Sequence, residues 1–170
     1  MPEKSLKPIL PADLVAMDDY AARHPLRIDL VYAKPAHRDN MFKCAIYRPD
    51  AKMLAHRELA PLILRAAEIC HTKSKWFFQL KDCLRPIEAQ AAMAETPIVK
   101  ANPHWLQEPR LLSPPGAGGH PRGMAVDIIL VAENGDEIDM GTPFDYLTTD
   151  PANNPAARDY KDLPQEVKKN

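Results

Sequence analysis

Eighteen prolines against six glycines, spread over 170 residues, set the strongest limit on what this chain can build. Each proline fixes φ and removes a backbone donor, so regular elements must be short and joined by long irregular surface connections. Connections of that kind often build sites. The rest of the composition is that of an ordinary globular protein, 45% hydrophobic and 26% charged, long enough for one domain with a real core. Twenty-two basic and 23 acidic side chains leave a net charge of -1. No electrostatic excess exists to hold a phosphate backbone or an anionic membrane, so nucleic acid and membrane are excluded as partners. No apolar run reaches membrane-spanning length, and the opening MPEKSLKPILPADL lacks the apolar core of a secretory leader. A cytoplasmic location is expected, or a periplasmic one if a leader has been removed. Cys44, Cys70 and Cys83 form no CxxC pair, which points to reduced thiols rather than a disulfide framework or zinc knuckle.

Hydrophobic patterning gives an α+β arrangement. PADLVAMDDYAARH reads as a short helix with Asp13 as its N-cap, and LRIDLVYA as a strand over 26–32. Apolar residues recur at three- and four-residue steps from Lys52 to His71, predicting the main helix. KWFFQLKDCL suits a strand over 75–84, and Pro86 then opens a helix over 87–95. Met124 to Val131 predicts a second strong strand. The Asn134-Gly135 dipeptide after it suits a type I′ turn, with a returning strand over 137–140. The result is a small, mainly antiparallel sheet packed against helices.

Asp127 stands alone between Arg122 and Glu133 in the run GMAVDIILV, where both strand faces read as buried. An ionised carboxylate in a core costs several kcal/mol unless a cation offsets it. His120 lies seven residues upstream, and this H-x6-D arrangement suits two ligands of one zinc ion. Pairing of Asp127 with Arg122, Arg85 or a backbone turn is the alternative. Arg85 ends an apolar strand and projects from the sheet edge, or is simply solvated. Asp145 lies on the same side as the His120 loop if the hairpin forms, or else serves a turn. Tyr32 fits core packing, and His56 and His71 fit solvated or capping roles on the helix.

The segments CLRPIEAQ, GGHPRGMAVDI and DMGTPFD, with Tyr32 in LVYAKPAHRDNMF, resemble in order and spacing the VanX-type D-alanyl-D-alanine dipeptidases. These are zinc peptidases of the DD-peptidase and Hedgehog-like fold, and the likeness runs from about residue 26 to 146. It implies Zn2+ held by His120 and Asp127, with Arg85 steadying the tetrahedral intermediate. It places Asp145 on the ammonium of a small dipeptide substrate, and Tyr32 and Gly118 in the substrate pocket. The implied reaction is hydrolysis of D-alanyl-D-alanine, in cell-wall peptide turnover or glycopeptide resistance. At Gly118 the family often carries serine. The family also completes its site with a C-terminal E-x-W-H segment, source of the general base and third zinc ligand, and no such segment occurs here: the tryptophans are Trp76 and Trp105. Residues 1–170 are therefore expected to form a single dipeptidase-like domain without its last helix and strand. The alternative is a non-catalytic binding domain on the same fold. Oligomeric state is not specified.

Overall fold

A computed structural model describes residues 8–108, 110–148, 150, 153–157 and 159–170. Its centre is strand β4, Phe77–Asp82. Strand β2, Leu26–Ile28, runs parallel to β4 on one side, and β5, Asp127–Val131, runs antiparallel on the other. A separate antiparallel pair joins β1, Leu14–Ala16, to β3, Leu54–His56. Helix α1 (Ala60–Ser74) packs on the sheet, while α2 (Ile87–Ala94) and α3 (Pro97–Ala101) follow β4. Two of the three strand pairings are antiparallel, giving the α+β class the patterning implies. Among the described residues, no helix is long and apolar enough to cross a membrane.

Several boundaries differ from the predicted ones, each for a tertiary reason. The expected helix at PADLVAMDDYAARH is instead a 3-10 turn over Pro11–Asp13, then β1, then a second 3-10 turn. Asp13 does not cap a helix; its carboxylate accepts the Leu10 amide at 3.1 Å from the end of the first turn. The competing partner is β3, forty residues away, which claims the backbone of Leu14–Ala16 in a ladder. That ladder also removes residues 54–56 from the predicted helix, so α1 starts at Ala60, with Pro61 in its first turn where no amide is needed. It ends at Ser74: the following Lys75 still donates its amide to the His71 carbonyl at 2.8 Å, but its left-handed φ of 62° turns the chain out of the helix. Its buried face is Ala60, Ile63 and Ala67, whereas Leu62 and Ile69 of the apolar pattern face solvent. Strand β2 stops at Ile28, and Tyr32 lies in a 3-10 turn over Val31–Ala33.

The hairpin after β5 is also shorter. Type I′ geometry needs positive φ at both central residues, but in this segment only Gly135 has it, at 95°. Gly135 donates to the Ala132 carbonyl at 3.0 Å, so a type I turn leads into a left-handed glycine. The return pairs only at a Val131–Glu137 bridge, with Ile138 donating to Leu130, not over 137–140.

The β4–β5 ladder is regular from Phe77–Val131 to Leu80–Ile128 and then slips, so that Asp82 stands opposite Asp127 with Lys81 as the extra residue. Such a bulge re-aims the side chains beyond it. Lys81, 1% exposed, sends its ammonium to Asp29 at 2.9 Å and Asp39 at 2.7 Å. Burial raises the Asp29 pKa, but Lys34 and Lys81 outweigh it and hold it down to about 2. Asp29, His37 and Asp39 converge like a ligand set, yet the Lys81 ammonium already supplies the central cation.

Candidate active site

The slip in β4–β5 brings two carboxylates face to face, and Arg85 lies between them. Its Nε donates to Asp82 Oδ2 at 2.7 Å, its Nη2 to Asp127 Oδ2 at 3.1 Å and its Nη1 to Gln90 Oε1 at 3.0 Å. Asp82 is fully buried. Its second oxygen accepts the Tyr47 hydroxyl at 2.8 Å and the Cys83 amide at 2.9 Å. Burial pushes the Asp82 carboxyl up and the Arg85 guanidinium pulls it back; with three donors on it, the carboxylate is the form the contacts support. Burial works against the Arg85 charge as well, but the Asp82 and Asp127 carboxylates raise its pKa above the ordinary arginine value. Burial and Asp82 push the Tyr47 phenol up, so it stays a donor. The Cys83 thiol, raised to about 12 by burial and the two aspartates, stays neutral.

His120 arrives from the other direction. The chain turns through His120–Arg122 in a 3-10 turn that Gly123 ends at a φ of 61°, a left-handed conformation costly for other residues. The turn is tied to the sheet end: Arg85 N–H donates to the His120 carbonyl at 3.0 Å. His120 Nδ1 is 2.7 Å from the Cys83 carbonyl. A carbonyl only accepts, so Nδ1 carries the proton and Nε2 is the atom turned toward Asp127. Nε2 and Asp127 Oδ1 are 3.3 Å apart. Burial disfavours the charged ring, but the Asp127 carboxylate more than offsets this and raises the His120 pKa.

Asp127 thus differs from its sequence reading. It is the first residue of β5, not the middle of a strand closed on both faces, and its side chain is 29% exposed. Arg85 and His120, rather than Arg122, sit beside it; Arg122 turns back to the Gly118 carbonyl.

Tyr32, Arg85, Ser113, His120, Asp127 and Asp145 line one cavity of about 190 Å³, with Met41, Phe42, Leu111, Leu112 and Leu147 as apolar walls. Gly118 is not among the lining residues. A wider open cleft of about 1050 Å³ along β5 shares Asp127, Asp145 and Leu147. The Tyr32 hydroxyl donates to Asp145, and the Arg85 guanidinium lies 5.6 Å from the Tyr32 ring centre. Asp145 adopts a φ of 53°, which aspartate tolerates better than most residues. Among the described residues, the cavity lining holds no glutamate and no histidine besides His120.

His120 Nε2 and Asp127 Oδ1 fit a zinc ion. Tetrahedral zinc with nitrogen and oxygen donors at roughly 2.0–2.2 Å places two of them about 3.3–3.5 Å apart. The Cys83 carbonyl behind the imidazole supplies the outer support that zinc-binding histidines need. Asp82 also converges on the pair, but its oxygens are committed to Tyr47, Cys83 and Arg85. The sequence reading missed Asp82, Tyr47 and Gln90. Asp82 stands directly after Lys81 in QLKDCLR, so its charge has a local counter-charge and gave no signal, and Gln90 in an alanine-rich helix carried none either.

Burial raises the Asp145 pKa to about 6. The folded state therefore binds this proton more tightly than the unfolded chain, and stability falls as pH rises from about 4 to 6. Asp145→Asn keeps an acceptor for Tyr32 and should be more stable than wild type by about 1–2 kcal/mol at pH 8, with no gain at pH 4. Urea unfolding at the two pH values checks this. Equal stability at pH 8 would place the carboxyl in ordinary solvent.

The sequence model of the peptidase M15 family, described as D-Ala-D-Ala dipeptidase, matches residues 13–157. A D-alanyl-D-alanine dipeptidase of Escherichia coli (strain K12) is 29% identical over 137 residues, 80% of this chain and 64% of the relative. The chain thus spans less than two thirds of that curated relative's length. With the family match covering most of the chain, including β4, the His120 turn and β5, the protein belongs to the D-alanyl-D-alanine dipeptidase family of peptidases.

Proposed function

We propose that the protein is a zinc-dependent dipeptidase that hydrolyses D-alanyl-D-alanine, and that the reaction belongs to the whole protein rather than to any one segment. The observation that carries this is the 3.3 Å approach of His120 Nε2 to Asp127 Oδ1 in the wall of a cavity that also holds Arg85 and Asp145. His120 and Asp127 would hold the metal. Zinc there supplies Lewis acidity toward the scissile carbonyl and water activation near neutral pH.

The remaining tasks fall to the chain's own side chains. Arg85 spends one Nη1 hydrogen on Gln90, and its other Nη1 hydrogen is the donor for the negative charge that develops on the substrate oxygen. Asp145, ionised above about pH 6, takes the dipeptide ammonium, oriented by the Tyr32 hydroxyl. The apolar walls exclude water and restrict side-chain size. At about 190 Å³, the cavity is below the roughly 300 Å³ where drug-sized pockets begin, which suits two alanines. That substrate ties the activity to cell-wall peptide turnover or to glycopeptide resistance.

Metal analysis after equilibration with zinc, together with release of free D-alanine from D-alanyl-D-alanine, tests the proposal. One zinc per chain is expected, lost in His120→Ala and Asp127→Ala, with turnover abolished by a chelator and restored by zinc. Zinc-independent turnover, or zinc retained by both variants, would remove His120 and Asp127 from the metal site. A second reading, a binding domain without turnover, is favoured by the absence of a glutamate from the described cavity lining. It predicts calorimetric binding of D-alanyl-D-alanine with no D-alanine released.

A further inference from the structure

Gln90 is 3% exposed, sits on α2 and touches no part of the cavity surface, yet both ends of its amide are committed. Oε1 accepts Arg85 Nη1 at 3.0 Å, and Nε2 donates to the Ser113 carbonyl at 2.8 Å. An arginine can only donate and a carbonyl can only accept, so the amide has one permitted orientation and neither contact survives its reversal. The Ser113 carbonyl belongs to the segment whose Leu111 and Leu112 side chains form the apolar wall. That segment is anchored upstream by the Leu111 and Leu112 amides on the Trp105 carbonyl, at 3.0 and 2.9 Å. Two prolines follow Ser113 and can donate nothing. Gln90 is thus the side-chain link between the guanidinium and the wall facing it.

We propose that Gln90 is a positioning residue that couples substrate size to Arg85: it holds the Leu111–Ser113 wall at the depth that admits an alanine side chain and aims Arg85 across the same space. This rests on the dipeptidase reading given above. A larger substrate side chain that displaces the wall pulls on Ser113 and, through Gln90, on Arg85, so poor fit is converted into poor placement of the charge-stabilising group.

Two variants separate the two contacts. Gln90→Glu keeps an acceptor for Arg85 and sets a carboxylate against the Ser113 carbonyl. Gln90→Met keeps the length and loses both contacts. In the zinc-loaded protein, Gln90→Glu is expected to lower the preference for D-Ala-D-Ala over D-Ala-D-Leu, measured as the ratio of kcat/KM values, by at least tenfold. Gln90→Met should show the same loss of preference and a kcat for D-Ala-D-Ala at least tenfold below that of Gln90→Glu. Independently of activity, hydrogen exchange at Leu111, Leu112 and Ala117, whose amides are bonded in this segment, should quicken at least tenfold in both variants, with exchange in Phe77–Asp82 as in wild type.

Both substrates slowed by one common factor, with wild-type exchange at Leu111, Leu112 and Ala117, would overturn the proposal. So would quickened exchange with unchanged substrate preference. If wild type neither binds nor cleaves either dipeptide, the dipeptidase reading fails. Exchange then still decides the coupling: slow exchange in Gln90→Met overturns it, and rapid exchange there but not in β4 supports it.

Discussion

Arg85→Lys is expected to lower kcat/KM of the proposed D-Ala-D-Ala hydrolysis by 10²–10³-fold, equivalent to about 3–4 kcal/mol of transition-state stabilisation. The substitution keeps the positive charge but not the fork. Arg85 reaches Asp82 through Nε, Gln90 through Nη1 and Asp127 through Nη2, three partners in three directions from a planar group. A lysine ammonium is a single point on a flexible stem and cannot meet all three while also facing the substrate. It would be drawn to the buried Asp82 carboxylate, away from the cavity. Steady-state release of D-alanine, with circular dichroism to confirm folding, checks the result. Turnover above about a fifth of wild type would mean that Arg85 supplies charge alone, and its placement by three partners would have no catalytic purpose.

The second large effect is on stability. Asp82→Ala strips a fully buried carboxylate from Arg85, Tyr47 and the Cys83 amide and leaves a guanidinium in low-dielectric surroundings without its principal counter-charge. Breaking a buried pair from one side costs about 3–5 kcal/mol, which for a chain of this size lowers Tm by roughly 10 °C. The cost lies in the stranded charge, so removing both charges should recover much of it: Asp82→Leu combined with Arg85→Met is expected to regain at least half of the lost stability. Urea midpoints of the single and double variants form the test. A loss below about 1 kcal/mol for Asp82→Ala would show that Asp127 alone balances Arg85.

The two effects have one structural origin, the slip that inserts Lys81 into β4. It sets Asp82 opposite Asp127, and the resulting carboxylate pair demands the cation that Arg85 places between them. Lys81 itself is absorbed on the other side by Asp29 and Asp39, so the bulge carries a compensated charge on each face.

How much of this was legible in the sequence depends on how far apart the interacting residues lie. His120 and Asp127, seven residues apart, could be paired from spacing, and the structure brings them to 3.3 Å, although Asp127 stands partly exposed at the start of β5 rather than enclosed within it. Strands β4 and β5, the body of α1, and α2 followed from local signals: apolar and aromatic runs for the strands, three- and four-residue apolar steps for α1, and Pro86 ahead of an alanine-rich segment for α2. Tertiary contacts alone decided the ladder between Leu14–Ala16 and Leu54–His56, which overrode two helical patterns. They also decided the register slip in β4–β5, the meeting of Tyr32 with Asp145 across 113 residues, and the link through Gln90. In each of these a backbone or polar group is satisfied by a partner distant in the chain, and no local pattern encodes which partner that is.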